Sequence, residues 1–435
     1  MIASNIGRTF LNAYNEKYKK SYSAKEFFVE VYFSLFFDHE KYMQWVTNSP
    51  FVQGIKKGVA PTSEERKLKL EVLTGKIATN EADASIAIGF PSLDLTASTS
   101  GQITSINLPM NEEDVYSSWI GGGLGIGVQS GLSLFFDNKQ ILMDLFDGWQ
   151  LYRDFLNKTP QLRGNQINTW NGQWIAHRYN KRTYDINNPT ASFNPFGVTK
   201  DGGMEINTQS WTKVLLGIAF NYPDSIETAY VYSLGQTNIT VGFIPFELPK
   251  IRMPFELYSK YFGSTDNNVV ENLFGTAIGF TKACQMGAIG VNALEPSGFK
   301  DYFKNGKMPK YDDSSDEKKI NFYTYQIWLL AMLNNENLWE QAQQIAQTLS
   351  NYSKSKASSE NKSGAKTDKR RDVESILTSG NKKQFIDGLT VLVKDSQDIE
   401  SLNQIAEIIH QMPVDNVPYF LTLIRFQYAV ISKKT

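Results

Sequence analysis

Apolar positions near the start of the chain recur at helical spacing. Phe27, Phe28, Val31, Phe33, Leu35 and Phe36 form a dense apolar face behind Ser23, whose hydroxyl is suited to capping a helix. The first 45 residues therefore read as two helices, and the segment ends at Asn48-Ser-Pro-Phe51. A further helix is predicted from Thr62 or Ser63. Glu65 stands where a capping box needs it, and Leu68, Leu70, Val72 and Leu73 follow. Residues 1–80 are expected to form an N-terminal helical segment.

From about residue 84 the period shortens to that of strands. Ala84 to Ile88, Ile103 to Leu108, Leu124 to Phe136, Ala229 to Leu234 and Ile239 to Phe246 alternate or are rich in β-branched and aromatic residues. Helical patterns lie among them at Ile141 to Leu156, Ser210 to Phe220 and Val269 to Ala288. Residues 81–310 are thus expected to form a mixed α/β body with β-hairpins.

After the polar stretch Tyr311 to Lys319 strand patterns stop. Leu338, Ala342, Ile345 and Leu349 make one apolar stripe, Phe385, Leu389 and Leu392 a second, and Leu402, Ile405 and Ile409 a third. With Tyr325 to Leu333 and Tyr419 to Ile431, residues 311–435 read as a helical bundle. The predicted class is α+β, with a C-terminal helical bundle.

Charge and cysteine usage narrow the chemistry. A net charge of −1 is far from the positive excess of a free-standing nucleic-acid binder, though it leaves room for local contacts inside an assembly. The single cysteine, Cys284, allows neither an internal disulfide nor a cysteine-based zinc site, and it fits a reducing compartment. The start Met1-Ile-Ala-Ser-Asn-Ile-Gly-Arg8 lacks the features of a secretory signal, and the apolar run from Val214 to Phe220 is too short to cross a bilayer, which needs about 20 residues. A cytoplasmic location without membrane contact is expected.

Catalytic patterns are sparse. His39, His177 and His410 show no metal-ligand spacing, and no nucleophile elbow accompanies His177, so neither a metal nor another cofactor is expected. The acidic pairs Glu112-Glu113 and Asp312-Asp313 lie in polar segments where solvation is the plain reading. Gly121-Gly-Gly-Leu-Gly-Ile-Gly127 has phosphate-loop spacings but leads into an alternating strand pattern. It reads instead as a bulge or a close backbone approach, of which a ligand-facing loop is the functional version. Gly364-Ala-Lys-Thr367 lacks the rest of a Walker loop.

Three segments carry recognition chemistry. Residues 164–182 combine Asn165, Gln166, Asn168 and Asn171 with Trp170, Trp174, Arg178, Lys181 and Arg182. Amides can pair with base edges, tryptophan can stack, and Arg or Lys can hold phosphate. The competing reading is a polar loop whose two tryptophans cover the core. Tyr232 to Phe243 reads as strand, turn and strand, with Gln236 and Asn238 at the tip, either an ordinary hairpin or a groove reader. The connection from Lys354 to Arg371 is basic, with Lys362, Lys366, Lys369, Arg370 and Arg371, and is either simply solvated or able to flank a nucleic-acid strand.

A body with amide-rich loops and a bundle closing on Val417-Pro-Tyr-Phe-Leu-Thr-Leu-Ile-Arg-Phe-Gln-Tyr428 resembles the large subunit of the type I CRISPR interference complex, Cascade, nearest to the I-B-like forms. That resemblance implies a non-catalytic subunit that recognises the protospacer-adjacent motif in double-stranded target DNA and helps R-loop formation. Its partners would be CRISPR RNA, the other Cascade subunits and a transiently recruited helicase-nuclease. It implies motif reading by amide or glycine loops, with Asn165, Gln166, Asn168, Asn171, Gln236 and Asn238 as candidates. Some members carry a zinc-binding cysteine cluster, which this chain with Cys284 alone does not. In some relatives the bundle is also made separately, and Met308 would start such a product. Two other readings compete: a cytoplasmic carbohydrate or small-molecule binding protein using Trp170, Trp174 and the neighbouring amides, and an enzyme centred on His177.

Overall fold

Ser23 and Thr62 both cap helices as their sequence contexts predict. In the computed structural model, which describes all residues except 56–58, 91–109, 234–238, 264–272, 274, 356–368, 395, 397 and 435, each side chain accepts from the backbone three residues on, and Glu26 and Glu65 reach back to complete capping boxes. The helices they open are α2 (Ala24–Phe27) and α4 (Ser63–Thr79), preceded by α1 (Ile2–Tyr18). A π-helical turn, Phe28–Tyr32, continues α2 into α3 (Phe33–Phe36). The turn brings Phe28, Tyr32, Phe33, Phe36 and Phe37 all into the interior.

These helices are not a separate segment. They belong to a compact unit of residues 1–249 and 280–289, while residues 250–279 and 290–435 form a second unit. The reason is the crossing of α1 with α5 (Glu112–Gly122), where backbones touch. A β-carbon on Gly7 would stand 1.9 Å from the Ser117 carbonyl oxygen, and one on Gly121 the same distance from that of Ala3. Only glycine permits this approach. Phe10, Phe27, Phe146 and Trp149 then interlock over the crossing.

The first unit contains a four-stranded antiparallel sheet, ordered β1 (Ile126–Val128), β2 (Leu132–Phe136), β5 (Ile226–Ser233) and β6 (Ile239–Glu247). A second, two-stranded sheet pairs β3 (Phe196–Val198) with β4 (Met204–Ile206). Helix α7 (Ile167–Arg178) packs on β1, and α6 (Lys139–Lys158) and α8 (Trp211–Asn221) pack on α7. Arg153 of α6 is buried, yet it is satisfied. Its Nε and Nη2 donate to Leu35 O at 2.7 and 2.5 Å and its Nη1 to Lys41 O at 3.0 Å, so it closes the carbonyl end of α3.

The second unit is helical. α9 (Leu248–Phe262) leads the chain out of the first unit, α10 (Phe280–Cys284) lies in the returning segment, and α11 (Phe299–Phe303) follows. Then come α12 (Asp316–Leu333), α13 (Asn337–Lys354), α14 (Lys369–Leu377), α15 (Lys382–Val393), α16 (Ile399–Gln411) and α17 (Val417–Lys434). All three predicted stripes are buried, Leu338 to Leu349, Phe385 to Leu392 and Leu402 to Ile409. The α+β class with a C-terminal helical region is therefore present. No helix among the described residues is long and apolar enough to cross a membrane.

Several local expectations change. Ala84 to Ile88 is a turn rather than a strand, because the Asp83 carboxylate accepts from Ser85 N and its carbonyl from Ile86 and Ala87 N. Val269 to Ala288 is not one helix: Thr276 pairs with Pro296 in an isolated bridge, and helix is confined to Phe280–Cys284 in its later part. The predicted strand from Ile103 to Leu108 lies outside the described residues. The division of the helical region falls near residues 250 and 290, rather than 310, since Phe299, Tyr302 and Phe303 pack on Trp328, Phe426 and Tyr419.

Candidate nucleic-acid interface

The amide-rich segment is a helix, and its tryptophans are core. Trp170 and Trp174, one turn apart on α7, are fully buried, and their indole N–H groups donate to Gly148 O at 2.9 Å and Asp144 O at 2.7 Å. Tyr152 stacks on Trp170 with centroids 5.0 Å apart. Neither indole offers a face to a base or a sugar.

The same helix explains the glycine run. A β-carbon on Gly172 would meet Gly127 O at 2.1 Å, and one on Gly127 would meet the Asn168 backbone at 2.8 Å, so β1 and α7 lie backbone to backbone. The close-approach reading holds, with the protein's own helix as the neighbour.

This packing assigns most of the predicted amides to internal tasks. Asn171 is a correction: its side chain has no exposure and donates to Gly123 O at 2.8 Å and Gly125 O at 2.9 Å, tying the glycine run to α7. Asn168 Nδ2 donates to Ser133 Oγ at 3.1 Å, and Gln166 Oε1 accepts from Ile206 N at 3.1 Å, joining α7 to β2 and β4. Asn165 is exposed, with a left-handed backbone at φ 70°, at the turn into α7. Gln236 and Asn238 lie outside the described residues.

Arg178 is likewise engaged. Its Nη2 donates to Asp144 Oδ1 at 2.6 Å and lies 3.2 Å from Asp147, and its Nη1 donates to Tyr184 Oη at 2.8 Å. Tyr179 Oη donates to the other Asp144 oxygen at 2.8 Å, and burial followed by the Asp144 charge pushes that phenol far above its usual range. Gln140 Nε2 is a third donor to Asp144, at 3.1 Å. Burial pushes the Asp147 carboxyl up, against the pull of Lys17 and Arg178.

Beyond Arg178 the chain surfaces. Lys181 and Arg182 are exposed, and so are Asp185, Ile186, Asn187 and Asn188. The base of this loop is clamped: His177 Nε2 pairs with Pro189 O at 2.9 Å, and the His177 ring stacks on Phe193, centroids 4.6 Å apart, which in turn meets Trp170 edge-on. Burial lowers the His177 pKa, favouring the neutral ring at neutral pH. Lys181 Nζ donates to Phe220 O at 3.2 Å. The result is a firm platform that presents two cations and two amides, suited to phosphate and base-edge contacts. Asn187 and Asn188 were missed in the sequence, although Asp185-Ile-Asn-Asn-Pro189 is a turn pattern that could have marked them.

In the second unit, Lys369 is also a correction as a surface contact. It is buried, donates to Ser355 Oγ at 3.0 Å and sits 4.9 Å over the Tyr352 ring. Arg370 is exposed beside Glu374 at 3.3 Å, and Arg371 is exposed. Lys362 and Lys366 lie outside the described residues. Among the described residues no cluster of His, Cys, Asp or Glu could hold a metal ion. Cys284 is buried, which pushes its thiol up to about 11. No protein-family model matches the chain, and no curated protein or solved structure does.

Proposed function

We propose that this chain is the non-catalytic large subunit of a type I Cascade-like DNA-surveillance complex, working in the cytoplasm. In this role it reads the protospacer-adjacent motif in duplex DNA and helps R-loop formation, beside CRISPR RNA, sister subunits and a recruited helicase-nuclease. The observation that carries the reading is the clamped loop after α7, with Lys181, Arg182, Asn187 and Asn188 outward over a base fixed by His177 and Phe193. A reader of duplex DNA needs such a combination, because cations set register on phosphate while amides discriminate bases. The order of an α+β unit and a helical unit also agrees with the resemblance.

The test uses the assembled complex on duplexes with matched and scrambled motifs. Changing Lys181 and Arg182 together to Ala is expected to weaken both duplexes alike and to reduce the salt slope by about 0.9 per lost contact. Changing Asn187 and Asn188 to Ala is expected to reduce the preference for the matched motif by about fivefold or more, fivefold being the lower end of what one bidentate base contact supplies. Unchanged affinity and preference in both variants would refute this site. Copurification with neither RNA nor sister subunits from the native cell would refute the assembly itself.

A further inference from the structure

Arg425 and Arg153 are equally buried arginines with opposite surroundings. Burial lowers both to about 10, yet Arg153 spends its donors on the carbonyls that end α3, whereas Arg425 has almost nothing to bond. Arg425 is 3 % exposed, and its Nη2 donates to Thr422 Oγ1 at 2.7 Å. Its Nε and Nη1 have no partner, and among the described residues no carboxylate lies within ion-pair distance. A charged group held in the interior without an anion is costly, and a bound ion is one way to meet that cost.

One segment bordering it is rich in lysine. Gly306 borders the guanidinium, since a β-carbon built there would stand 4.0 Å from Arg425 Nη1, and its φ of 64° disfavours larger residues. Around it, residues 299–310 carry Lys300, Lys304, Lys307 and Lys310 against a single acidic residue, Asp301. All four lysines are exposed, and Lys307 is 3.5 Å from Asp301. The segment thus joins exposed lysines to a glycine that borders a guanidinium with two unpaired nitrogens.

We propose that Arg425, bordered by Gly306 of the segment that carries Lys300, Lys304, Lys307 and Lys310, is the anchor of a phosphate-binding site in the helical unit. Nη1, the unpaired donor beside Gly306, suits one oxygen of a phosphate group in a charge-assisted bond, and the lysines raise the local concentration of the anion. That group belongs either to free inorganic phosphate or to the backbone of a nucleic-acid strand. The inference does not depend on the DNA-surveillance reading, because it concerns the isolated chain.

Thermal melting of the full chain against inorganic phosphate, and separately against an oligothymidylate without terminal phosphates, tests the site, with sodium chloride at matched ionic strength as control. The melting temperature is expected to rise with the logarithm of one or both ligands and not with chloride. A response to phosphate alone assigns a free anion, and a response to the oligonucleotide assigns a strand. Arg425→Met is expected to fold and to lower ligand affinity at least about tenfold, the loss of one charge-assisted contact. Changing Lys304 and Lys310 together to Ala, on exposed positions, is expected to weaken binding several-fold at unchanged melting temperature without ligand. No response in the wild type, or an equal response in Arg425→Met, would overturn the proposal. Should Arg425→Met fail to fold, an undiminished response in the double lysine variant would overturn it as well.

Discussion

The carbonyl oxygen of Ala3 occupies the space that a β-carbon on Gly121 would need, the two positions being 1.9 Å apart. Helices α1 and α5 consequently cross at a distance fixed by two glycines and two backbone carbonyls. Gly121→Ala is expected to destabilise the first unit by about 3 kcal/mol through overpacking. Gly75→Ala, at an exposed interior position of α4 with nothing within 4 Å, is expected to stabilise by about 0.5–1 kcal/mol. Urea unfolding of the two variants checks both signs.

Asn171 holds the carbonyls of Gly123 and Gly125 from within the core. Asn171→Ala strands both, so a loss of about 2–3 kcal/mol is expected in chemical denaturation. Lys181→Ala, on the surface, should change stability by no more than about 0.5 kcal/mol. A mild effect at Asn171 would show that the glycine run does not rely on that amide.

Asp144 gathers Gln140, Arg178 and Tyr179 on its carboxylate. Replacing it by Asn removes the charge opposite Arg178 while leaving that guanidinium in place. The expected cost is about 3 kcal/mol, read from equilibrium unfolding. Changing Arg178 and Asp144 together to Met and Leu should cost less than Asp144→Asn alone, since the one carboxylate that loses Arg178, Asp147, keeps Lys17 at 3.7 Å.

His39 and His177 both have pKa values lowered from 6.5, chiefly by burial. A base whose folded pKa is depressed binds its proton more readily when unfolded. Its contribution to stability is complete above pH 6.5 and is lost as the pH falls below that value. Unfolding free energies at pH 7.5 and 5.5 should therefore differ in favour of pH 7.5. The difference should shrink in His177→Gln, and an equal difference in that variant would remove His177 from the account.

A product started at Met308 would lack Val291, whose carbonyl accepts from Trp328 Nε1 at 2.8 Å, together with Phe299, Tyr302 and Phe303. Such a fragment is expected to melt several degrees below one started at Gly290 and to bind a hydrophobic dye more strongly. Differential scanning fluorimetry of the two purified fragments makes the comparison.

Helix starts and apolar stripes were legible because they depend on neighbours three or four residues apart. Ser23, Thr62 and the run from Leu338 to Leu349 behaved as their spacing required. Residues 164–182 stay open in the sequence between a recognition segment, because Asn, Gln and Trp are recognition residues in type, and a loop whose tryptophans cover the core. What decides their role is a helix that lies against Gly127 and Gly148, and no local pattern encodes that contact. The same applies to Asn187 and Asn188, which become candidates only when His177 and Phe193 are seen to fix the loop beneath them. Arg425 was part of the stretch that carried the resemblance, but its missing counter-charge is a property of three-dimensional surroundings.

The return of residues 280–289 to the first unit has a consequence for synthesis on the ribosome. Phe280 stacks on Trp211, and Ile289 exchanges backbone hydrogen bonds with Pro245 and Glu247 at the end of β6. The first 249 residues therefore emerge without part of their own interior, and that unit reaches its final packing only after residue 289 has left the exit tunnel. A nascent chain interrupted between residues 250 and 280 exposes the ring of Trp211 and the end of β6, the features by which quality-control proteases would distinguish it from the finished protein.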